Sequence, residues 1–289
     1  MTPSARKVHD FLNHPFTLIV LAVLTAVGAV IPFFGDIRVG RTLVNWAVHG
    51  VALAGLTAAM FYSIKVRQEN IILRRIPETI HRINHDYRNV LSVLFGDRDV
   101  CPTDEARVKA EVRTLQSVCQ KLSATFHDLT RKPCIVSVKL IITHDGHAYC
   151  ETLVRSETMS RRDEGELVRF SLNTGRNPAL DEALAYRPGR KSYFYSADLT
   201  KEKEGTYTND RANWRQFYRS EIVCPIRYVK ASSDGRPATR DDIGFLIVDT
   251  MSTNRLNEGS HVELLGACAD QMYNFMSLVR GKYKVPPTD

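Results

Sequence analysis

The chain has 289 residues, 44% hydrophobic and 25% charged, with a formal net charge of +7 and a sequence pI of about 9.1. That is ample apolar material for a core, in a length that suits one domain of about 150 residues plus attachments, and the basic excess points to a nucleic-acid or membrane partner. Cys101, Cys119, Cys134, Cys150, Cys224 and Cys268 form no CxxC and no Cys/His metal spacing, which excludes a zinc site of that kind and leaves reduced, buried small hydrophobes.

Residues 16–34 carry no charge over 19 positions, long enough to cross a bilayer core of about 30 Å. Residues 43–64 form a second uncharged run of 22. Two such runs, joined by 35–41, predict a transmembrane helical hairpin at 16–64 after a short N-terminal segment, 1–15; a cleaved signal peptide would leave one run. Arg6, Lys7, Lys65, Arg67, Arg74 and Arg75 flank the pair, against Arg38 and Arg41 in the loop. The bias predicts a multi-pass inner-membrane protein with both termini cytoplasmic and the bilayer as a partner, which accounts for the basic excess without a nucleic-acid polymer. Asn45 and His49 fall inside the second run. Polar groups there are functional candidates by default, though a polar pair joining helices is the plainer role.

Residues 65–130 predict a helical connector. Ile72, Ile76, Ile80, Ile83, Tyr87, Leu91 and Leu94 repeat at spacings of four and three, as in a coiled coil. Pro77 is expected to kink this helix or start a new one. Gly96-Asp97 ends it, and Thr103 is the N-cap of a second helix that carries Val108, Val112, Leu115, Val118, Leu122, Phe126 and Leu129 on one face. The two helices would form a hairpin or enter a homodimer or higher homo-oligomer. His85-Asp86-Tyr87-Arg88-Asn89 resembles the phospho-accepting box of some sensor histidine kinases, where a histidine is followed by Asp and then, three positions on, by Asn. The nucleotide-binding boxes such a kinase needs are absent, so a solvated connector helix competes with a phosphotransfer role for His85.

From Cys134 the periodicity changes to that of strands. Residues 135–143 are rich in β-branched residues, Asp145-Gly146 is a hairpin signal, and 147–155 pair back. Residues 222–229 and 243–249 are two further strands around the polar loop 231–238, and Ser260 is the expected N-cap of a final helix with apolar residues at Val262, Leu265, Cys268, Met272, Phe275 and Val279. The segments Ile222-Val223-Cys224-Pro225-Ile226 and Ile243-Gly244-Phe245-Leu246-Ile247-Val248-Asp249, followed by that helix, resemble the C-terminal half of a GAF domain. The resemblance implies an α+β fold over 131–282, an antiparallel sheet with flanking helices, ahead of a tail at 283–289.

It also implies a ligand face covered by residues 157–219. There 177–185 read as a short helix, 191–197 as a short strand, K-E-K-E-G-T-Y-T-N-D-R at 201–211 as a polar loop, and 214–219 as another short helix. Members of the family bind cyclic nucleotides, tetrapyrroles or haem. Asn209 and Phe217 lack the spacing and closing Asp-Glu of the cyclic-nucleotide signature. Residues 157–219 hold neither the Cys-His pair of tetrapyrrole attachment nor any histidine for haem. No cofactor and no metal is therefore expected. The candidate ligand-binding residues are Arg169, Asn173, Tyr195, Asp198, Trp214, Arg215 and Tyr218, since aromatics with arginines can stack on and clamp an anionic planar ligand such as a nucleotide. Trp214 and Tyr218, four apart, are equally what anchors a helix on a sheet.

No Gly-rich phosphate loop, nucleophile elbow, HExxH or Walker pattern is present, so catalysis is not expected. Only seven residues follow the final helix and its flank, too few for an appended output domain. These features together predict a membrane-anchored sensor whose GAF-like domain binds a small ligand or a partner and signals through the connector. The alternatives are a nucleotide-gated membrane effector, by architectural resemblance to those of bacterial antiphage defence, an adaptor that docks a separate enzyme, or a degenerate phosphotransfer protein using His85.

Overall fold

In the computed structural model the described residues are 41–96, 103–157, 169–185, 192–202, 207–211, 213–230 and 239–280. The chain divides into two compact units, Met1–Arg74 and Arg75–Asp289. Helix α1 spans Arg41–Phe95 and contains Pro77 in its interior, where a kink or a fresh start was expected. The ring removes one backbone donor there. One turn on, Arg82 pairs with Glu78 at 2.5 Å.

The expected second membrane span, 43–64, lies within α1. Among the described residues no helix is long and apolar enough to cross a membrane. The multi-pass inner-membrane placement is corrected accordingly. Absence of charge is not apolarity: the run holds Asn45, His49, Thr57, Tyr62 and Ser63, with Gly50 and Gly55 between them. The expected first span, 16–34, lies outside the described residues, as do the side chains of Asn45 and His49.

In the second unit α1 is followed by α2 (Asp104–Thr130), β1 (Ile135–His144), β2 (His147–Arg155), β3 (Phe170–Ser171), α3 (Pro178–Leu184), β4 (Phe194–Ser196), a 3-10 turn (Trp214–Gln216), β5 (Ser220–Lys230), β6 (Thr239–Thr250) and α4 (Ser260–Val279). The strands form one antiparallel sheet in the order β3-β2-β1-β6-β5-β4. With helices on its faces, this sheet fits a GAF-like α+β fold, as the sequence resemblance implied.

Local chemistry accounts for the boundaries. The Thr103 side chain accepts the Ala106 N–H at 3.2 Å and caps α2, with Asp104 and Glu105 in the first turn. Asp145 and Gly146 both take positive φ, 50° and 75°, as a tight two-residue hairpin needs. Two expectations shift. The N-cap of α4 is Gly259, and Ser260 is the first helical residue. The helix expected over 214–219 shrinks to three residues of 3-10 turn, so Phe217 to Arg219 run straight into β5.

The sheet has two dissimilar faces. Val136, Val138, Ile222, Cys224, Ile226, Leu246 and Val248 turn toward α2 and α4 and build the larger core with Leu115, Leu122, Phe126, Leu265, Met272 and Phe275. The connector repeat joins this core: Ile83 and Tyr87 are buried in it, Ile76, Ile80, Val90, Leu91 and Leu94 pack against it, and the Tyr87 ring stacks on Phe275 at 4.5 Å. From Ile76 to Leu94 the heptad-like face of α1 therefore packs within the chain. Cys119, Cys134, Cys150, Cys224 and Cys268 are free and buried, and burial pushes Cys224 and Cys268 up to about 12. On the other face a smaller cluster of Phe170, Leu180, Phe194, Trp214, Val223 and Phe245 surrounds a polar patch.

Candidate functional site

The polar patch begins with a lysine inside an apolar strand. Along β1, Val136, Val138 and Leu140 face the helices, so Ser137 and Lys139 must face the other way. Lys139 lies opposite Thr152 on β2, and Ser137 opposite Arg155. In an unbroken strand Thr152 and Arg155, three positions apart, would point to opposite sides. The β1–β2 register slips by one between Val138 and Lys139, leaving Leu153 as an extra residue in β2. Leu153 and Val154 then both turn to the helices, and Arg155 rejoins Thr152 on the polar face.

The carboxylates come from the other half of the sheet. Glu221 on β5 lies directly opposite Asp249 on β6. Lys139, Arg155, Glu221 and Asp249 are each between 5 and 8% exposed. Placing two carboxylates opposite one another is unfavourable unless donors or cations offset it. One donor is the Tyr207 hydroxyl, which donates a hydrogen bond to Glu221 Oε2 at 2.8 Å. Burial raises the Tyr207 pKa well above its ordinary value, which keeps that proton in place.

These groups line a partly open cavity of about 40 Å³. Its floor is the sheet, with Ser137 and Ile247 between the charges. One wall is Ala179 and Leu180 of α3, and the roof is the segment 207–211. The roof is latched to the wall by Asn177, itself 2% exposed. Asn177 Nδ2 donates to Asp210 Oδ2 at 2.8 Å and to the Ser171 carbonyl at 2.8 Å, while the Asp210 N–H returns a bond to Asn177 Oδ1 at 3.0 Å. Asp210 also accepts the Ser171 N–H at 2.7 Å. At the far end of α3, Arg227 holds the Ala183 carbonyl and Arg240 the Leu184 carbonyl, the latter at 2.9 Å.

Lys139 is strongly perturbed in the cavity. Nζ donates to Thr152 Oγ1 at 2.8 Å and stands 3.7 Å from the centre of the Phe170 ring. Burial lowers its pKa to about 8; Cys150 and Glu221 pull the other way, and Arg155 and Arg211 add to the lowering. Burial pushes the neighbouring Cys150 thiol up to about 12, so it stays protonated.

The residues expected from the sequence fall in several places. Tyr218 lines the cavity, and its hydroxyl accepts from Asn209 Nδ2 at 2.8 Å. Trp214 stands behind it, 5.5 Å from the Tyr218 ring and edge-on to Tyr207 at 4.7 Å. Arg215 lies over the outer side of Trp214, 5.0 Å from its ring. The other four lie elsewhere. Arg169 pairs with Glu151 at 2.6 Å on the surface. Asn173 holds a turn at φ 58°, its N–H on Asp181 Oδ1 at 2.6 Å. Asp198 binds Thr200 at 2.5 Å, and that hydroxyl holds its pKa below the usual value. Tyr195 donates to the Leu256 carbonyl at 3.0 Å. His85, on α1, has its Nδ1 2.7 Å from Arg88, whose charge lowers the imidazole pKa. Lys139, Arg155, Glu221 and Asp249 were missed. For Lys139, Glu221 and Asp249 the signal was a charge at the turned-away position of a strand otherwise rich in Val, Ile and Leu; Arg155 carried no such signal, because only the register slip brings it to this face.

No family model matches the chain, and no curated protein matches it. Among solved structures it is similar to the type II free methionine-R-sulfoxide reductase of Thermoplasma acidophilum, with 17% identity and a TM-score of 0.39 over 60% of this chain and 96% of that one. The GAF domain of an Acinetobacter phosphoenolpyruvate-protein phosphotransferase gives 12% and 0.38 over 62% and 95%. The blue-light absorbing form of the Thermosynechococcus elongatus PixJ GAF domain gives 16% and 0.39 over 60% and 90%. These are a reductase, a piece of a phosphotransferase and a light-absorbing domain. The likeness is one of outline, it does not choose between catalysis and sensing, and no residue role is taken from it.

Proposed function

We propose that the unit Arg75–Asp289 is a sensory domain that takes a small charged molecule into the cavity on the polar face of its sheet. The observation that carries this is the burial of Lys139, Arg155, Glu221 and Asp249 around one 40 Å³ cavity, on the face turned away from α2 and α4. Buried charges cost stability, and a core built for stability alone would place apolar residues there. Perturbed, buried ionisable groups converging on a cavity are the usual mark of a binding site.

The size narrows the ligand. Such a volume holds about three water molecules. A nucleotide does not fit beneath the latched roof, so the ligand is smaller than the planar anion expected from the sequence. The helices on the opposite face supply the route out. Gln116 of α2 donates to the carbonyl of Arg155, whose guanidinium reaches the cavity. Lys121 and Ser117 of α2 in turn bind Asp86 of α1, the serine at 3.2 Å. A ligand that favours one position of β2 thereby biases the two helices.

The test is thermal unfolding of the full chain with a panel of small charged metabolites, beside Lys139→Met. At about 100-fold over its dissociation constant, a ligand stabilises the native state by roughly 2.7 kcal/mol. Stabilisation of the wild type but not of the variant supports the sensor. A panel in which no compound distinguishes the two proteins overturns it.

A further inference from the structure

The charged groups of the cavity are of two kinds. Arg155, Arg211, Glu221 and Asp249 all have interactions within the chain. Arg155 donates to Thr152 at 3.3 Å, Glu221 takes the Tyr207 hydroxyl at 2.8 Å, and Arg211 lies 5.1 Å from the Phe217 ring. Lys139 meets uncharged groups at close range. Its Nζ donates to Thr152 Oγ1 at 2.8 Å, an oxygen shared with Arg155, and faces the Phe170 ring at 3.7 Å. An ammonium has three N–H donors to place, a neutral amine two and a lone pair. Burial acts on it most strongly; Cys150 and Glu221 favour the charge, Arg155 and Arg211 oppose it, and the balance leaves a pKa of about 8. About a tenth of the side chain is then neutral amine at pH 7, against on the order of one part in a few thousand for an ordinary lysine.

From this environment, and resting on the sensory function proposed above, we propose that Lys139 is a nucleophile that captures a small α-oxo acid in the cavity as an imine. A lysine desolvated beside other cations is the setting in which its amine attacks a carbonyl carbon. The Nζ lone pair forms the C–N bond while the carbonyl π pair moves to oxygen. That oxygen takes both protons given up by the nitrogen and leaves as water, so that amine and carbonyl become imine and water. Nothing is oxidised or reduced. An imine nitrogen is a weaker base than an amine, so the product carries a charge less readily in this buried position. The carboxylate of the acid adds a negative charge near Arg155 and Arg211, which repel the ammonium of Lys139 and keep their interactions in the chain. An uncharged aldehyde forms the same bond without that attraction. The 40 Å³ volume limits the acid to about two or three carbons.

Reductive trapping on the full chain at neutral pH tests this, with glyoxylate and acetaldehyde as probes. Sodium cyanoborohydride delivers hydride to the imine carbon and leaves a stable secondary amine, and peptide mass spectrometry reads which lysines carry it. Glyoxylate should label Lys139 about tenfold or more faster than the exposed Lys201. The preference for Lys139 should be smaller with acetaldehyde. Labelling of Lys139 no faster than of Lys201 overturns the imine, and an equal preference with both probes overturns the oxo acid. Glyoxylate that raises the melting temperature without labelling Lys139 also overturns the imine, and leaves a site for a charged ligand in place. Neither labelling nor stabilisation overturns the imine, while the sensory function falls only if the wider panel of charged metabolites fails as well. The comparison between lysines is made within the wild type, so it stands without any variant.

Discussion

The carbonyl oxygen of Lys139 occupies the place where a Cβ on Gly244 would have to be. Gly244 pairs with Leu140 on β1 and Ile226 on β5, at the centre of the sheet. Any side chain there collides with β1 backbone, which cannot swing aside as a flexible side chain would. Gly244→Ala should destabilise the domain by roughly 2–3 kcal/mol, the usual cost of overpacking a well-packed site. Urea unfolding measures it. A loss below about 0.5 kcal/mol would mean that β1 and β6 part easily at this point.

Lys139 itself should trade stability for binding. Its folded pKa of about 8 lies below the ordinary value near 10.5. Between those values the unfolded chain holds more protons than the folded one, so wild-type stability gains from this residue as pH rises from 8 toward 10.5, by an amount on the order of 3 kcal/mol. Lys139→Met has no such proton to release. The stability difference, variant minus wild type, should favour the variant at pH 7 and shrink as pH rises through that window. The difference is the quantity to plot, because contributions common to the two proteins cancel in it. A difference that stays flat with pH would show that the ammonium is not desolvated.

Why this residue escaped the sequence is instructive. The strands of β1, β5 and β6 were recognisable from Val136, Val138, Ile222, Ile226, Leu246 and Val248, because burial on the helical face imposes an alternation that composition alone reveals. The turn at Asp145-Gly146 and the cap at Thr103 were equally plain, since each is fixed by one or two local groups. Arg155 was not. Strict alternation from Thr152 places it on the helical face, and only the extra residue at Leu153 returns it to the cavity. Such a slip is set by pairing with β1, a contact that no local pattern encodes. The ligand face was instead sought between residues 157 and 219, where Trp214 and Tyr218 did supply part of an aromatic wall. Arg169, Asn173 and Asp198 hold a surface pair or a turn, and polar side chains of that kind look the same in sequence as those that line a cavity. The membrane expectation failed for a different reason: it counted missing charges in 43–64 and gave too little weight to its Asn, His, Thr and Gly.

His261 offers an acid-side test far from the cavity. Burial lowers its pKa to about 4, and its Nδ1 accepts the Asn257 N–H at 3.2 Å, which requires the neutral ring. The unfolded value is near 6.5, so the stabilisation is fully present above that pH and is lost as pH falls toward 4. The loss is at most on the order of 3 kcal/mol. His261→Gln keeps an acceptor without the titration. Melting temperatures followed from pH 7 to 4 should fall more steeply for the wild type than for this variant. Parallel curves would show that the ring stays solvated in the native state.

The latch between Asn177 and Asp210 should decide how the cavity opens. Asn177 makes three hydrogen bonds from a site 2% exposed, two of them to a single residue of the roof. Asn177→Leu fits the space but leaves the Asp210 N–H and carboxylate short of partners, at roughly 1–3 kcal/mol for each group that stays buried. The chain need not bear that cost. Segment 207–211 can lift into water, where the freed groups find solvent, because once these bonds go it is held to β3 and α3 by the Ser171 N–H on Asp210 Oδ2 at 2.7 Å and by Thr208 on the Arg176 carbonyl at 3.0 Å. The expected result is a melting temperature nearly unchanged, with amide hydrogen exchange faster by tenfold or more in 207–211 and unaltered in β1, β5 and β6. A large drop in melting temperature without selective exchange would make Asn177 part of the global core, and the roof would then be no gate.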